Sequence, residues 1–136
     1  MKNNLFSFIL AIAALIALCS CTQSYEKKLG QALNNSSRSF KDYEKIVLIP
    51  GAGCTGCITI AEQYYREHRN DGSILFIFTD ITSVKNLRFR LEEETLDKKN
   101  IILDLDNNFF FPDYDESIYP YSISIKNGDI ERIKRL

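Results

Sequence analysis

Ile46-Val47-Leu48-Ile49, followed after Pro50–Gly53 by Cys54-Thr55-Gly56-Cys57, is the stretch that decides how this chain is read. The apolar run has the look of a strand covered on both faces. Residues from about Thr55 to Arg69 carry helical spacing, with Cys57, Ala61, Tyr64 and His68 along one face. Two cysteines two residues apart, between a strand and a helix, suit reversible disulfide chemistry. The start of a helix offers unpaired N–H groups and a positive dipole end, and both stabilise a thiolate. Since the thiolate is the attacking form, this location can make an ordinary thiol reactive.

Working outward, Ile74–Phe78 and Ile101–Leu105 repeat the apolar pattern, the second interrupted by Asp104. A second helix is expected from about Ser83 to Leu96, with Val84, Leu87 and Leu91 on one face. Tyr121, Ile123 and Ile125 alternate with Ser122 and Ser124, the signature of a half-exposed strand. Asn127-Gly128 then predicts a two-residue hairpin turn, with Ile130 and Ile133 on the return strand. The pattern predicts an α/β fold: a central mixed sheet with parallel strands, a C-terminal antiparallel hairpin, and helices on the faces. One domain is expected over residues 43–136. Residues 21–42 read as a polar tether around Asn34-Asn35-Ser36-Ser37, with room for a short helix near Tyr25–Leu33.

The N-terminus reads as a targeting segment. Lys2 precedes an apolar stretch, Leu5 to Leu18, interrupted only by Ser7. That is short for a membrane span and suited to a signal peptide. Leu18-Cys19-Ser20-Cys21 resembles the lipobox of bacterial lipoproteins. The resemblance implies loss of residues 1–20, a lipid on Cys21, and a domain tethered to a membrane of the bacterial envelope, facing the periplasm or the cell surface. An uncleaved membrane anchor is the alternative. Once Cys19 is removed and Cys21 acylated, Cys54 and Cys57 are the remaining thiols. A net charge of −1 gives no reason to propose nucleic acid as a partner. No phosphate-binding glycine loop and no Ser/His/Asp set is present in the required spacing.

Strand–Cys54-Thr55-Gly56-Cys57–helix, a proline at 120 and the turn Lys126-Asn127-Gly128-Asp129 come in an order that resembles the thioredoxin-like superfamily. The resemblance covers about Tyr43 to Ile133. It implies thiol–disulfide oxidoreductase activity, with Cys54 as the attacking nucleophile and Cys57 as the resolving cysteine. Pro120 would be a cis-proline facing the pair, and the backbone of Tyr119 would bind an extended substrate segment. The partners implied are protein thiols and disulfides of the envelope and a membrane or envelope electron donor; no cofactor is implied. The chain departs from the family in three places near the pair. Gly53, not tryptophan, precedes Cys54; the intervening dipeptide is Thr55-Gly56; and Leu48 stands where thioredoxins carry a buried acid that assists the resolving thiol. Little sequence follows Ile133 for the usual final helix, so a sheet face is expected to be thin, or covered by residues 24–33 or a partner.

Other readings stay beside this one. A static disulfide across so small a loop would add little chain-entropy stabilisation. Two thiolates can share a copper or zinc ion. Zinc sites want four ligands, however, and His68 lies about three turns along the helix from Cys57. A non-catalytic interaction module would carry an inert, buried pair. Phe109-Phe110-Phe111-Pro112 with Tyr114, Tyr119 and Tyr121 could line a client groove or pack a core. Glu92–Glu94 and the basic residues Arg132, Lys134 and Arg135 read as solvated faces, and Asp80 as a turn or helix-start residue.

Overall fold

The structure is a computed structural model and describes residues 23–136; the leader and Cys21 lie outside the described residues. Helix α1 (Tyr25–Asn35) precedes strand β1 (Lys45–Pro50), helix α2 (Thr55–His68), strand β2 (Ile74–Thr79), helix α3 (Val84–Leu91) and the short strand β3 (Ile101–Leu103). A 3₁₀ turn (Asp115–Ile118) then leads to strands β4 (Tyr121–Lys126) and β5 (Asp129–Arg135). The sheet order is β3-β2-β1-β4-β5. Strand β2 runs parallel to β1 and β3, while β4 is antiparallel to β1 and β5 to β4. The mixed sheet with a terminal hairpin is the architecture expected from the pattern.

Side chains alternate across the pleat, so each continuously apolar strand feeds two cores. Val47, Ile49, Phe76 and Phe78 point to one face, where Ile58, Ala61 and Tyr65 of α2 and Leu87 and Leu91 of α3 cover them. Ile46, Leu48, Leu75 and Ile77 point to the other, against Tyr25, Leu29 and Leu33 of α1 and Phe109 of the loop before β4. The buried stripe of α2 is therefore Ile58, Ala61 and Tyr65. Tyr64 and His68 sit beside it, their rings stacked 4.0 Å apart.

Asn127 and Gly128 both take positive φ, 54° and 85°, as the expected hairpin turn demands. Ile130 and Ile133 face the same core even though they are three positions apart. A bulge opposite Ser124/Ile125 gives β5 one extra residue and resets its alternation. The other side of the hairpin carries Ser122, Ser124, Arg132 and Lys134, paired across the strands. It is polar enough to need no covering helix.

Two predicted elements end early. Helix α3 stops at Leu91, not near Leu96, because Glu92 turns left-handed (φ 55°) and its amide returns to the Arg88 and Phe89 carbonyls. Strand β3 stops at Leu103: the Asp104 amide makes a last bond to the Phe78 carbonyl (2.8 Å), and the Asp104 side chain then turns the chain. Its buried carboxylate accepts hydrogen bonds from Thr79 Oγ1 (2.8 Å) and from the amides of Asn108 (2.9 Å) and Phe109 (2.8 Å). Those bonds fold the chain back over the second face.

Residues 25–35, read from composition as part of a tether, form a helix within the folded unit. Ser24 caps it by accepting from the Lys27 amide. Tyr25, Leu29 and Leu33, spaced i, i+4, i+8, make a stripe that is at most 3% exposed. Among the described residues no helix is long and apolar enough to cross a membrane.

Candidate functional site

Cys54 is the N-cap of α2, with extended backbone (φ −66°, ψ 94°), and its carbonyl accepts the first helical bond from Ile58 (2.9 Å). Cys57 lies in the first helical turn. The two are joined in a disulfide, with Cα atoms 5.3 Å apart. Both are half-buried, and their neighbours Ala52, Gly53, Thr55 and Gly56 are exposed. Strand β1 is the middle strand of the sheet, so the pair stands at the carboxyl ends of the parallel strands, where α/β sheets place ligands.

Two backbone approaches seat the loop. A Cβ on Gly51 would collide with the Asp80 carbonyl at the end of β2. Gly53 takes φ +131°, and a Cβ there would come within 2.6 Å of the Ile118 carbonyl oxygen and side chain. This contact lets Ile118 accept a hydrogen bond from the Cys54 amide (3.2 Å). Gly56 has open space where its Cβ would be, so nothing steric requires glycine there.

The 3₁₀ turn that carries Ile118 is held from the far end of the chain. Glu116 forms a two-oxygen ion pair with Arg135 (2.6 Å for each oxygen) and accepts from the Tyr121 hydroxyl (2.6 Å). The Arg135 guanidinium lies 3.9 Å from the centre of the Tyr119 ring. The Arg135 hydrogen bonds, then that of Tyr121, hold the Glu116 carboxyl below its ordinary value. Burial and the bond to Glu116 push the Tyr121 hydroxyl up to about 12.

The bond before Pro120 is trans: no cis peptide bond occurs among the described residues. The expected cis-proline is corrected accordingly. Tyr119 has φ −105° and ψ 145°, the extended form favoured before proline, and trans is the lower-energy isomer of such a bond. Pro120 is buried, and its carbonyl accepts from the Leu136 amide (3.0 Å). The Tyr119 amide is occupied by the Glu116 carbonyl (3.1 Å).

Leu48, where the resemblance would place an acid, is 2% exposed in the core. Asp80, at φ 50°, is the turn residue expected; partial burial raises its carboxyl above the usual range. His68, at the far end of α2, aims Nδ1 at the Tyr64 carbonyl (2.9 Å). Among the described residues no group of three or more His, Cys, Asp or Glu is placed to hold a metal ion. Phe109 is buried and Phe111, Tyr114 and Tyr119 are half-buried in the second core, so packing explains the aromatic stretch.

No family model, curated protein or solved structure matches this chain.

Two side chains read as solvated turn out to be tied down. Arg135 holds the site's turn, as described, and Glu93 is enclosed by Tyr65 and Arg69 at the end of α2 and by Lys98. Burial would raise the Glu93 carboxyl, but bonds from Lys98 (2.7 Å) and Tyr65 (2.8 Å) and the charge of Arg69 bring it below its ordinary value. Ile118 contributes through its carbonyl, which no residue-type pattern reveals. Glu116 and Arg135 meet through the strand pairing of Tyr121 with Arg135, which sequence spacing does not display.

Proposed function

We propose that the chain is a thioredoxin-like thiol–disulfide oxidoreductase, anchored by lipid on Cys21 to a membrane of the cell envelope. It would exchange disulfides with extracytoplasmic proteins. The observation that carries the reading is the disulfide itself: it is half-exposed at the N-terminus of α2 rather than sunk in the core.

In the reduced protein, Cys54 at the N-cap can accept hydrogen bonds from the free amides of the first helical turn, which favours its thiolate. That thiolate attacks one sulfur of a client disulfide. The client S–S bond breaks, its second sulfur leaves as a thiolate and takes a proton, and a mixed disulfide with Cys54 forms. Cys57, deprotonated, then attacks the Cys54 sulfur and expels the first client sulfur, which is protonated in turn. The client gains two electrons and the Cys54–Cys57 pair loses two. A dithiol of the membrane or envelope would restore the reduced pair by the same steps.

With Leu48 in place of an acid, solvent or the departing client thiolate would take the Cys57 proton. The carbonyl of Tyr119 would receive the amide of an extended client.

Trapping tests the reading. Cys57→Ser should accumulate a mixed disulfide between Cys54 and a disulfide-bearing protein such as insulin, and Cys54→Ser should accumulate none. Equal, negligible trapping by both variants would favour the non-catalytic interaction module.

A further inference from the structure

We infer that the end of the sheet bearing the disulfide faces the membrane, and that its exchange partner is a thiol or disulfide of an integral membrane protein. The inference rests on the exchange and lipid-anchor reading above. Cys54 follows the carboxyl end of β1. Tyr121 pairs with Leu48 near that same end. The Tyr25 ring lies 4.8 Å from the Tyr121 ring and 6.0 Å from Tyr114, just before the turn that holds the Cys54 amide. Helix α1 therefore begins at the disulfide end of the molecule.

Only Thr22, Gln23 and Ser24 separate Cys21 from Tyr25, and Ser24 is fixed as the helix cap. Four residue steps span about 14 Å at full extension. A lipid on Cys21 would thus hold the disulfide end against the bilayer, on a leash too short for the domain to turn over.

A second observation agrees. Of the exposed large apolar side chains, Leu105, Ile118 and Leu136 lie at this end, beside β3, Cys54 and Pro120 respectively. Residues 51–60, around the disulfide, carry no charge. The adjoining loop instead exposes Asp106, Asp113 and Asp115, which disfavour insertion among anionic headgroups. An uncharged, partly apolar disulfide loop with these acids on one side, and with Arg135 paired to Glu116, fits a protein loop at the bilayer surface rather than insertion into lipid.

The test uses the full, lipidated chain in vesicles of phosphatidylethanolamine and phosphatidylglycerol. It is compared with the same chain carrying about 20 inserted Gly/Ser residues between Thr22 and Gln23, a leash of about 25 Å. After reduction, a bulky polymer maleimide should modify Cys54 about tenfold more slowly in the native chain than in the insertion variant, while a small maleimide reacts alike with both. The native chain should also reduce a transmembrane peptide with a juxtamembrane disulfide about tenfold faster than a soluble protein disulfide, and the insertion should erase that preference. Equal polymer rates, or a preference unchanged by the insertion, would overturn the inference. A mass showing no lipid on Cys21 would overturn it together with the anchor reading. Absence of exchange with either substrate, with the polymer result as expected, would sink the exchange reading and the partner but leave the orientation.

Discussion

The two faces of the sheet are covered by different means. On one, α2 and α3 follow directly from β1 and β2 and lay regular apolar stripes over Val47, Phe76 and Phe78. On the other, α1 arrives from the N-terminus, and the rest of the cover is a loop whose regular structure is limited to the 3₁₀ turn, pinned by Asp104 and by aromatic rings gathered around Tyr25. The difference teaches where the site comes from. The regular face supplies the helix that carries the cysteines. The irregular face supplies the turn that meets Cys54, so the geometry of the pair depends on packing contributed by both.

If the irregular face is as essential as the regular one, Leu29→Ala in α1 and Leu91→Ala in α3 should destabilise the fold alike. Both side chains are fully buried, and each loss should cost about 2–5 kcal/mol in denaturant unfolding. A cost well under 1 kcal/mol for Leu29→Ala alone would reduce α1 to a loose appendage.

Asp104→Ala strips partners from the Thr79 hydroxyl and from the Phe109 amide. About 1–3 kcal/mol is expected for each group left buried and unpaired. The loss should appear as early hydrogen exchange over residues 104–119, with β1 and β2 protected to higher denaturant; uniform exchange would contradict two separately built faces.

Gly53→Ala forces a Cβ into Ile118 at a backbone angle that side chains avoid, at a cost of about 1–3 kcal/mol. The sharper reading is the rate of Cys54 alkylation in the reduced protein, which should change because the Ile118 contact is lost. An unchanged rate would show that the turn does not shape the site.

The smallest effect on stability belongs to Arg135→Gln. This pair is half-exposed, so the melting temperature should hardly move. Cys54 reactivity should shift in the direction of Gly53→Ala, and Arg135→Lys should restore part of it. The pH sign follows from Glu116. Its folded-state value is depressed, so the pair's contribution is complete above the ordinary glutamate value of 4.5 and fades as pH falls through the lower, folded value. Wild-type and Arg135→Gln proteins should therefore converge in alkylation behaviour in acid. A difference that persists unchanged down to full protonation of Glu116 would rule the ion pair out as its cause.

The regular face was legible in the sequence because its signals are local. Ile46–Ile49, Ile74–Phe78 and the helix spacing after Cys54 sit within single windows, and Asn127-Gly128 announces its own turn. The irregular face was less legible. Polar neighbours hid the stripe of Tyr25, Leu29 and Leu33, and Asp104 looked like an interruption although it organises the loop. At the site, the cysteines were readable. The Ile118 carbonyl and the Glu116–Arg135 pair were not, since they arise from long-range approach. The cis-proline expectation failed because a proline before a strand fixes φ but leaves the isomer to its surroundings.

The central claim is that the Cys54–Cys57 pair cycles. Its reduction potential, measured by equilibrating the protein with glutathione or dithiothreitol, tests this most directly. A value between about −280 and −120 mV, in the range of exchange proteins, is predicted. A value well below about −300 mV would mark a structural disulfide and contradict the account.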